Sequence, residues 1–126
     1  MPISRFYSLK SLLLSTAILL LGHGLQLTLL PLQALEFGWS QTAVGLTGSA
    51  YYLGFMVGCL AVARVIRRVG HIRTFSAAVS LAAIAILGLS ISDHYALWLM
   101  CRFLTGCSLA AFYTVIESWL NDQTSN

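Results

Sequence analysis

The most regular feature of this sequence is a series of four long apolar segments separated by short polar connections. The segments cover residues 12–35, 42–65, 72–91 and 96–120. Each reaches the roughly 20 residues that an α-helix needs to cross a bilayer. The pattern predicts an all-α membrane protein with four transmembrane helices, in which residues 1–126 form a single membrane segment.

The composition supports a membrane protein over a soluble one. Hydrophobic residues make up 58% of the 126-residue chain and charged residues only 9%, with a mean hydropathy of +0.82. A soluble domain carries about 25% charged residues, and this chain cannot supply such a polar coat. We therefore expect the lipid bilayer to be its main partner.

The first apolar segment has features of both a signal peptide and a transmembrane helix. Arg5 and Lys10 precede it, as basic residues precede a signal peptide. Its apolar run is longer than the roughly 7–15 residues of a signal h-region, and no small-x-small cleavage site follows cleanly. We interpret it as a retained helix.

The basic residues predict how the chain is oriented. Besides the pair before the first segment, four arginines lie in or beside the connection between the second and third segments: Arg64, Arg67, Arg68 and Arg73. The connections after the first and third segments contain no Lys or Arg. Under the positive-inside rule, both termini are cytoplasmic. The net charge of +3 thus follows membrane orientation and does not indicate nucleic-acid binding.

Polar residues on the first segment share one helical face. Thr16, His23, Gln26 and Gln33 follow spacings of seven, three and seven residues. His23 lies near the middle of the segment, where it either hydrogen-bonds to a neighbouring helix or contacts a proton or solute, because imidazole titrates near neutral pH. Both interpretations remain open.

The second segment contains a G-x-x-x-G pattern at Gly54 and Gly58. Small residues at this spacing let another helix backbone approach closely. The pattern is common in membrane helices, so it indicates close packing and no particular function.

The fourth segment carries the strongest functional signal. Arg102, Gly106, Tyr113 and Glu117 fall within about 60° of one helical face. A guanidinium does not lose its proton, and placing it at mid-bilayer costs from about 2.5 to above 10 kcal/mol, so Arg102 should face protein or water. Glu117 lies about 22 Å further along the helix, and we expect it to pair with Arg67 or Arg68.

The three cysteines do not indicate an enzyme. Cys59, Cys101 and Cys107 all lie within apolar segments, without a C-x-x-C pair. We interpret them as small buried residues, because a thiol–quinone redox enzyme would need paired cysteines at an exposed helix end. The sequence shows no metal, nucleotide or haem motif, so we expect no cofactor.

Two motifs resemble those of the major facilitator superfamily. Residues 65–73 (VIRRVGHIR) resemble motif A, with Arg68 and Gly70 in the matching places, although Ala63 and Arg67 replace its first glycine and its aspartate. Residues 102–106 (RFLTG) resemble motif B, with Thr105 at the common Gln. Residues 115–118 (VIES) are similar to a signature of the bacterial YcaD-like branch.

The resemblance implies the N-terminal part of a twelve-helix fold built from two six-helix halves, each a pair of three-helix inverted repeats. This chain would hold an incomplete first half, completed by C-terminal helices or by self-association. The implied function is a secondary active, proton-coupled transporter of a small solute in a bacterial inner membrane.

That implied function gives each group of residues a role. The transport path would be lined by His23, Gln26, Arg102 and Tyr113. A cytoplasmic gate would be formed by Arg67, Arg68, Gly70, Arg73 and Glu117. Helix packing would depend on Gly54, Gly58 and Gly106.

Two alternatives remain open at this point. One is a complete four-helix exporter of the small multidrug type acting as a dimer. Such proteins depend on a carboxylate in the first helix, and here the first carboxylate is Glu36 at its outer end. The other alternative is an inert truncated membrane protein. The DNA following codon 126 would show whether the reading frame continues through further apolar segments.

Overall fold

The computed structural model describes residues 3–124, which form four α-helices. They are α1 (Ile3–Glu36), α2 (Gln41–Val69), α3 (His71–Ile91) and α4 (Tyr95–Thr124). All four are long and apolar enough to cross a membrane, over Leu9–Glu36, Gln41–Val69, His71–Ile91 and Tyr95–Asp122. The predicted all-α membrane fold with four spanning helices is confirmed.

The helices extend beyond the apolar segments that predicted them. Two arginines that the sequence placed in a connection, Arg67 and Arg68, lie instead in the last turn of α2, which continues to Val69. An apolar run marks only the part of a helix that crosses hydrocarbon, whereas arginine is a good helix former. Basic side chains are also favourable at a helix C-terminus, where the backbone carbonyls carry partial negative charge.

The chain divides into two compact units, one containing α1 and ending at Ser40, the other beginning at Gln41 and containing α2, α3 and α4. In the first unit α1 continues through Pro31 and ends at Glu36. Gly38 follows with φ of 82°, and the Trp39 amide donates to the Ala34 carbonyl at 3.4 Å. A glycine in this left-handed conformation is a common way to end a helix.

One residue, Gly70, joins α2 to α3. Its φ of 92° and ψ of 171° place it in a backbone region that is almost restricted to glycine. The Gly70 amide donates to the Ile66 carbonyl at 2.8 Å, and the Gly70 carbonyl accepts the Thr74 amide at 3.2 Å and the Thr74 hydroxyl at 2.7 Å. These bonds connect Gly70 to the last turn of α2 and to the first turn of α3, so one residue is enough to join the two helices.

In the second unit, α4 packs against both α2 and α3, which touch each other little. Buried residues make up 56% of the apolar stretch of α4, against 22% for α2 and for α3. The side chains of Trp98, Thr105 and Ser108 are fully buried. The two hydroxyls donate to carbonyls one turn earlier on α4, at 2.8 Å each. The central helix therefore buries hydroxyl groups without leaving their donors unsatisfied.

Candidate functional site

Three glycines allow α2 and α4 to pack backbone against backbone. A Cβ atom at Gly54 would overlap the carbonyl oxygen of Phe103, and one at Gly58 would lie 2.9 Å from the carbonyl oxygen of Cys107. From the other side, a Cβ at Gly106 would overlap the carbonyl oxygen of Tyr51. Only glycine fits at these three positions, so the small residues of both helices set one close crossing.

This close crossing brings Arg102 onto α2. Arg102 is 5% exposed, and its guanidinium carbon lies 4.7 Å from the centre of the Tyr51 ring. Gly106 is one turn further along α4 and contacts the backbone of the same tyrosine. The pairing of an arginine with a glycine four residues later thus has a physical reason here. Gly106 lets the α2 backbone approach at Tyr51, and the Tyr51 ring then lies against the Arg102 guanidinium.

The guanidinium keeps one buried nitrogen that its neighbours do not satisfy. Nη1 of Arg102 has no hydrogen-bond partner among the described residues. Buried donors are nearly always paired, and a charged group in a membrane span is costly. The electrostatic attraction of the Tyr51 ring offsets part of that cost, on the order of 2 kcal/mol for a desolvated cation–π pair.

An aromatic run continues along the same interface. The Tyr51 ring centre lies 6.4 Å from that of Phe55, which in turn lies 6.2 Å from that of Tyr113 on α4. Spacing on α4 predicted that Arg102, Gly106 and Tyr113 share a face, and the structure places all three against α2. Glu117, expected on the same face, is exposed.

The remaining predicted path residues, His23 and Gln26, belong to α1. Both are half-buried, as are Thr16 and Gln33 of the same polar stripe, while Leu21 and several other leucines on the helix are exposed. The structure therefore brings Arg102 and Tyr113 together within the second compact unit, whereas His23 and Gln26 lie in the first.

The expected ion pair between Glu117 and the α2 arginines is not formed in the part of the chain that the structure describes. Glu117, Arg67 and Arg68 are all exposed, and none of them takes part in an ion pair there. The prediction matched the residues by their depth along the membrane normal. Depth does not fix the lateral direction in which a side chain leaves its helix.

A different contact joins the ends of α3 and α4. Nε2 of His71 lies 2.8 Å from Oγ of Ser118, and both side chains are half-buried. Both residues lie within the motifs that resemble those of the family, at positions for which the sequence predicted no role. The available signal was that His71 stands directly after the joint glycine while Ser118 ends the V-x-E-S run.

At the opposite end of the same unit, two aromatic side chains fix the start of α4. The Tyr95 hydroxyl donates to the Ala43 carbonyl of α2 at 2.9 Å. The indole nitrogen of Trp98 donates to the Ser92 carbonyl at 2.9 Å. Both bonds tie α4 to segments that precede it in the chain, so each end of α4 has its own polar anchor.

Cys101 and Cys107 of α4 adjoin different helices. A Cβ at Gly88 of α3 would lie 2.8 Å from Sγ of Cys101, while the backbone of Cys107 adjoins Gly58 of α2. All three cysteines are free thiols; Cys101 is buried and Cys107 half-buried, but Cys59 is exposed, so the interpretation of all three as buried residues is wrong for Cys59.

These features define an integral membrane protein with a buried cation in a close helix crossing. The chain belongs to the Major Facilitator Superfamily, whose family model matches residues 12–126. It is 33% identical over 116 residues to the uncharacterized MFS-type transporter YcaD of Escherichia coli O139:H28, and equally to that of Escherichia coli K12/DH10B. The alignment covers 90% of this chain and 30% of each relative. No solved structure matches the chain.

Proposed function

We propose that this chain is the N-terminal part of a secondary active transporter that moves a small solute across the bacterial inner membrane by alternating access, coupled to protons. The observation that carries the proposal is Arg102, a buried cation within a spanning helix of a superfamily member. A membrane protein retains such a costly group where a solute or an ion path needs it.

Four residues line the proposed path: His23, Gln26, Arg102 and Tyr113. Arg102 supplies a fixed positive charge that tunes a nearby proton-carrying or solute group. His23 is the titratable member of the set, since an imidazole changes charge near neutral pH. The polar stripe of α1 supports this assignment, because polar groups in a spanning helix favour a protein or water environment over lipid.

Five residues form the proposed cytoplasmic gate: Arg67, Arg68, Gly70, Arg73 and Glu117. The three arginines and Glu117 are exposed in the described arrangement, and Gly70 is a single-residue joint between α2 and α3. We assign these residues to the gate because they lie around this joint and at the end of α4 that the His71–Ser118 contact holds against it.

The path also needs further protein around it. The chain spans about 30% of the length of the curated relatives it matches. We propose that additional helices of a longer chain, or a second copy of this one, complete the enclosure. Both termini are assigned to the cytoplasm, from the basic residues before α1 and around the α2–α3 joint.

Flux measurements test the proposal. The 126-residue chain and an in-frame longer form are reconstituted in vesicles, and candidate-solute flux is compared with empty vesicles, with and without a pH gradient. We expect no flux from the short chain and gradient-driven flux from the longer form that Arg102→Ala abolishes. Arg102-dependent flux from the short chain alone would support a complete small exporter instead. Absence of flux from both forms would indicate an inert protein.

A further inference from the structure

Within the unit formed by α2, α3 and α4, no carboxylate of the described residues neutralises Arg102. In the unit formed by α2, α3 and α4 the acidic residues are Asp93, Glu117 and Asp122, all exposed and all towards the ends of α4. Asp93 lies before the start of α4, nine residues ahead of Arg102, and Glu117 follows Arg102 by about 22 Å along the helix. Arg102 forms no ion pair with the residues that the structure describes.

Arg102 also keeps hydrogen-bonding capacity for an anion. Its guanidinium carbon lies over the Tyr51 ring, 4.7 Å from the ring centre, and a guanidinium binds oxyanions in its own plane through its N–H groups. Nη1 is the buried in-plane nitrogen whose hydrogen-bonding capacity is unused. An anionic oxygen in the guanidinium plane could accept a hydrogen bond from Nη1 and at the same time neutralise the positive charge of Arg102.

The local charge and the neighbouring aromatic rings favour a monocarboxylate. Arg102 is the one buried charged side chain in the described part of the chain, so a single negative charge balances the site. Beside it, Tyr51, Phe55 and Tyr113 form the aromatic run along the interface. Such rings suit the carbon body of an organic acid, since apolar walls with a few placed polar groups are typical of small-molecule sites.

We infer that Arg102 and Tyr51 form a binding subsite for the carboxylate of the transported solute, which makes the substrate class small organic monocarboxylates. The inference rests on the proposed transport function and adds the chemistry that the path selects. Because Nη1 is buried in the described arrangement, the subsite opens to solute in a different state of the cycle, in which α4 moves away from the elements that cover the guanidinium.

Direct binding to the unmutated chain tests the subsite first. The 126-residue protein, labelled with ¹⁵N-arginine, is placed in phosphatidylcholine nanodiscs and titrated with acetate and with benzoate. Acetamide and benzamide are the neutral controls, and the missing signal of Arg102→Lys assigns the Arg102 resonance. We expect saturable shifts of that resonance with at least one acid and none with its amide. Equal responses to acid and amide, or no response to either acid, would overturn the inference.

Variants then separate the charge from the fold. Radiolabelled acid should bind to the parent chain about 10- to 100-fold more tightly than to Arg102→Gln, as loss of a charged hydrogen bond implies. Tyr52→Phe, at the exposed neighbour of Tyr51 on α2, is the control outside the subsite and should retain binding within about threefold, well below the tenfold that 1.4 kcal/mol produces. Helicity measured for each variant verifies folding. Unchanged binding in Arg102→Gln would contradict the assignment.

Further arms distinguish this inference from the proposed function. If the short chain binds acid and an in-frame longer form does not, the natural partner of the Arg102 guanidinium is a carboxylate of the protein. That result would overturn the solute subsite. Arg102-dependent flux of neutral solutes only would leave transport standing and remove the monocarboxylate class. Arg102-dependent acid binding without flux from any form would retain the subsite and remove transport.

Discussion

His71, the first residue of α3, places its Nε2 atom 2.8 Å from the Oγ atom of Ser118 near the end of α4. The two residues are 47 positions apart, so the contact fixes the end of one helix against another. It lies at the same end of the unit as Gly70, where α2 passes into α3. The joint is therefore held from two sides, by its own backbone bonds and by a side-chain bond to α4.

A double-mutant cycle should detect this bond as a coupling between the two side chains. We expect the coupling free energy of His71→Ala and Ser118→Ala to be about 0.5–1.5 kcal/mol, the usual net contribution of one hydrogen bond. Unfolding of the 126-residue chain in mixed micelles supplies the measurement. Ser76→Ala, at an exposed position of α3, is the control and should not couple to His71→Ala. A coupling no larger than that of the control would count against the bond.

The close crossing of α2 and α4 predicts different responses at two glycines of the same helix. Gly54→Ala should lower the free energy of unfolding by about 1–3 kcal/mol, because the new methyl group overlaps the Phe103 backbone. Gly48→Ala meets no atom within 4 Å, so it should be neutral or stabilising by up to about 1 kcal/mol. Equal responses at the two sites, measured by unfolding in the same micelles, would refute this crossing.

The sequence predicted each helix better than the contacts between helices. Apolar length defined four spans, and spacing placed Arg102, Gly106 and Tyr113 on one face of α4. Spacing gives a face without its partner, however, and the identity of that partner as α2 required the structure. Glu117 shows the same limit, since depth along the helix suggested an arginine partner that the described arrangement does not provide.

The backbone at Gly70 predicts opposite effects for two further glycine-to-alanine changes. Gly70→Ala should destabilise the chain by about 1–3 kcal/mol, because φ of 92° with ψ of 171° is strained for any residue with a Cβ atom. Gly45→Ala lies inside α2 with open space around it and should stabilise the helix by up to about 1 kcal/mol. Chemical unfolding of both variants tests the signs. A stabilising Gly70→Ala would show that the joint has another conformation.

Accessibility labelling tests the proposed orientation. Cys59, Cys101 and Cys107 are first replaced by alanine, and a single cysteine is then introduced as Asp93→Cys or as Asn121→Cys, both at exposed positions. A membrane-impermeant maleimide should label the first variant in intact cells and the second only after permeabilisation, because the basic residues place the α2–α3 joint and both termini inside. The reverse pattern would invert the topology.

The position of the Arg102 guanidinium over the Tyr51 ring predicts an energetic coupling that a neighbouring tyrosine lacks. Tyr51→Leu and Arg102→Met should couple by about 1–2 kcal/mol, as expected for a desolvated cation–π pair. Tyr52 is the matched control, because it is the next residue on α2 and is 68% exposed. The Tyr52→Leu change should therefore couple to Arg102→Met by less than about 0.5 kcal/mol.

Tyr51→Phe completes the cycle, since it retains the ring and removes only the hydroxyl. Its coupling to Arg102→Met should stay small, so that the loss seen with Tyr51→Leu is assigned to the aromatic face. Free energies of unfolding for all single and double variants in the same micelles provide the comparison. If Tyr51→Leu couples no more strongly than Tyr52→Leu, the ring does not stabilise the cation, and the burial of Arg102 depends on other contacts of α4.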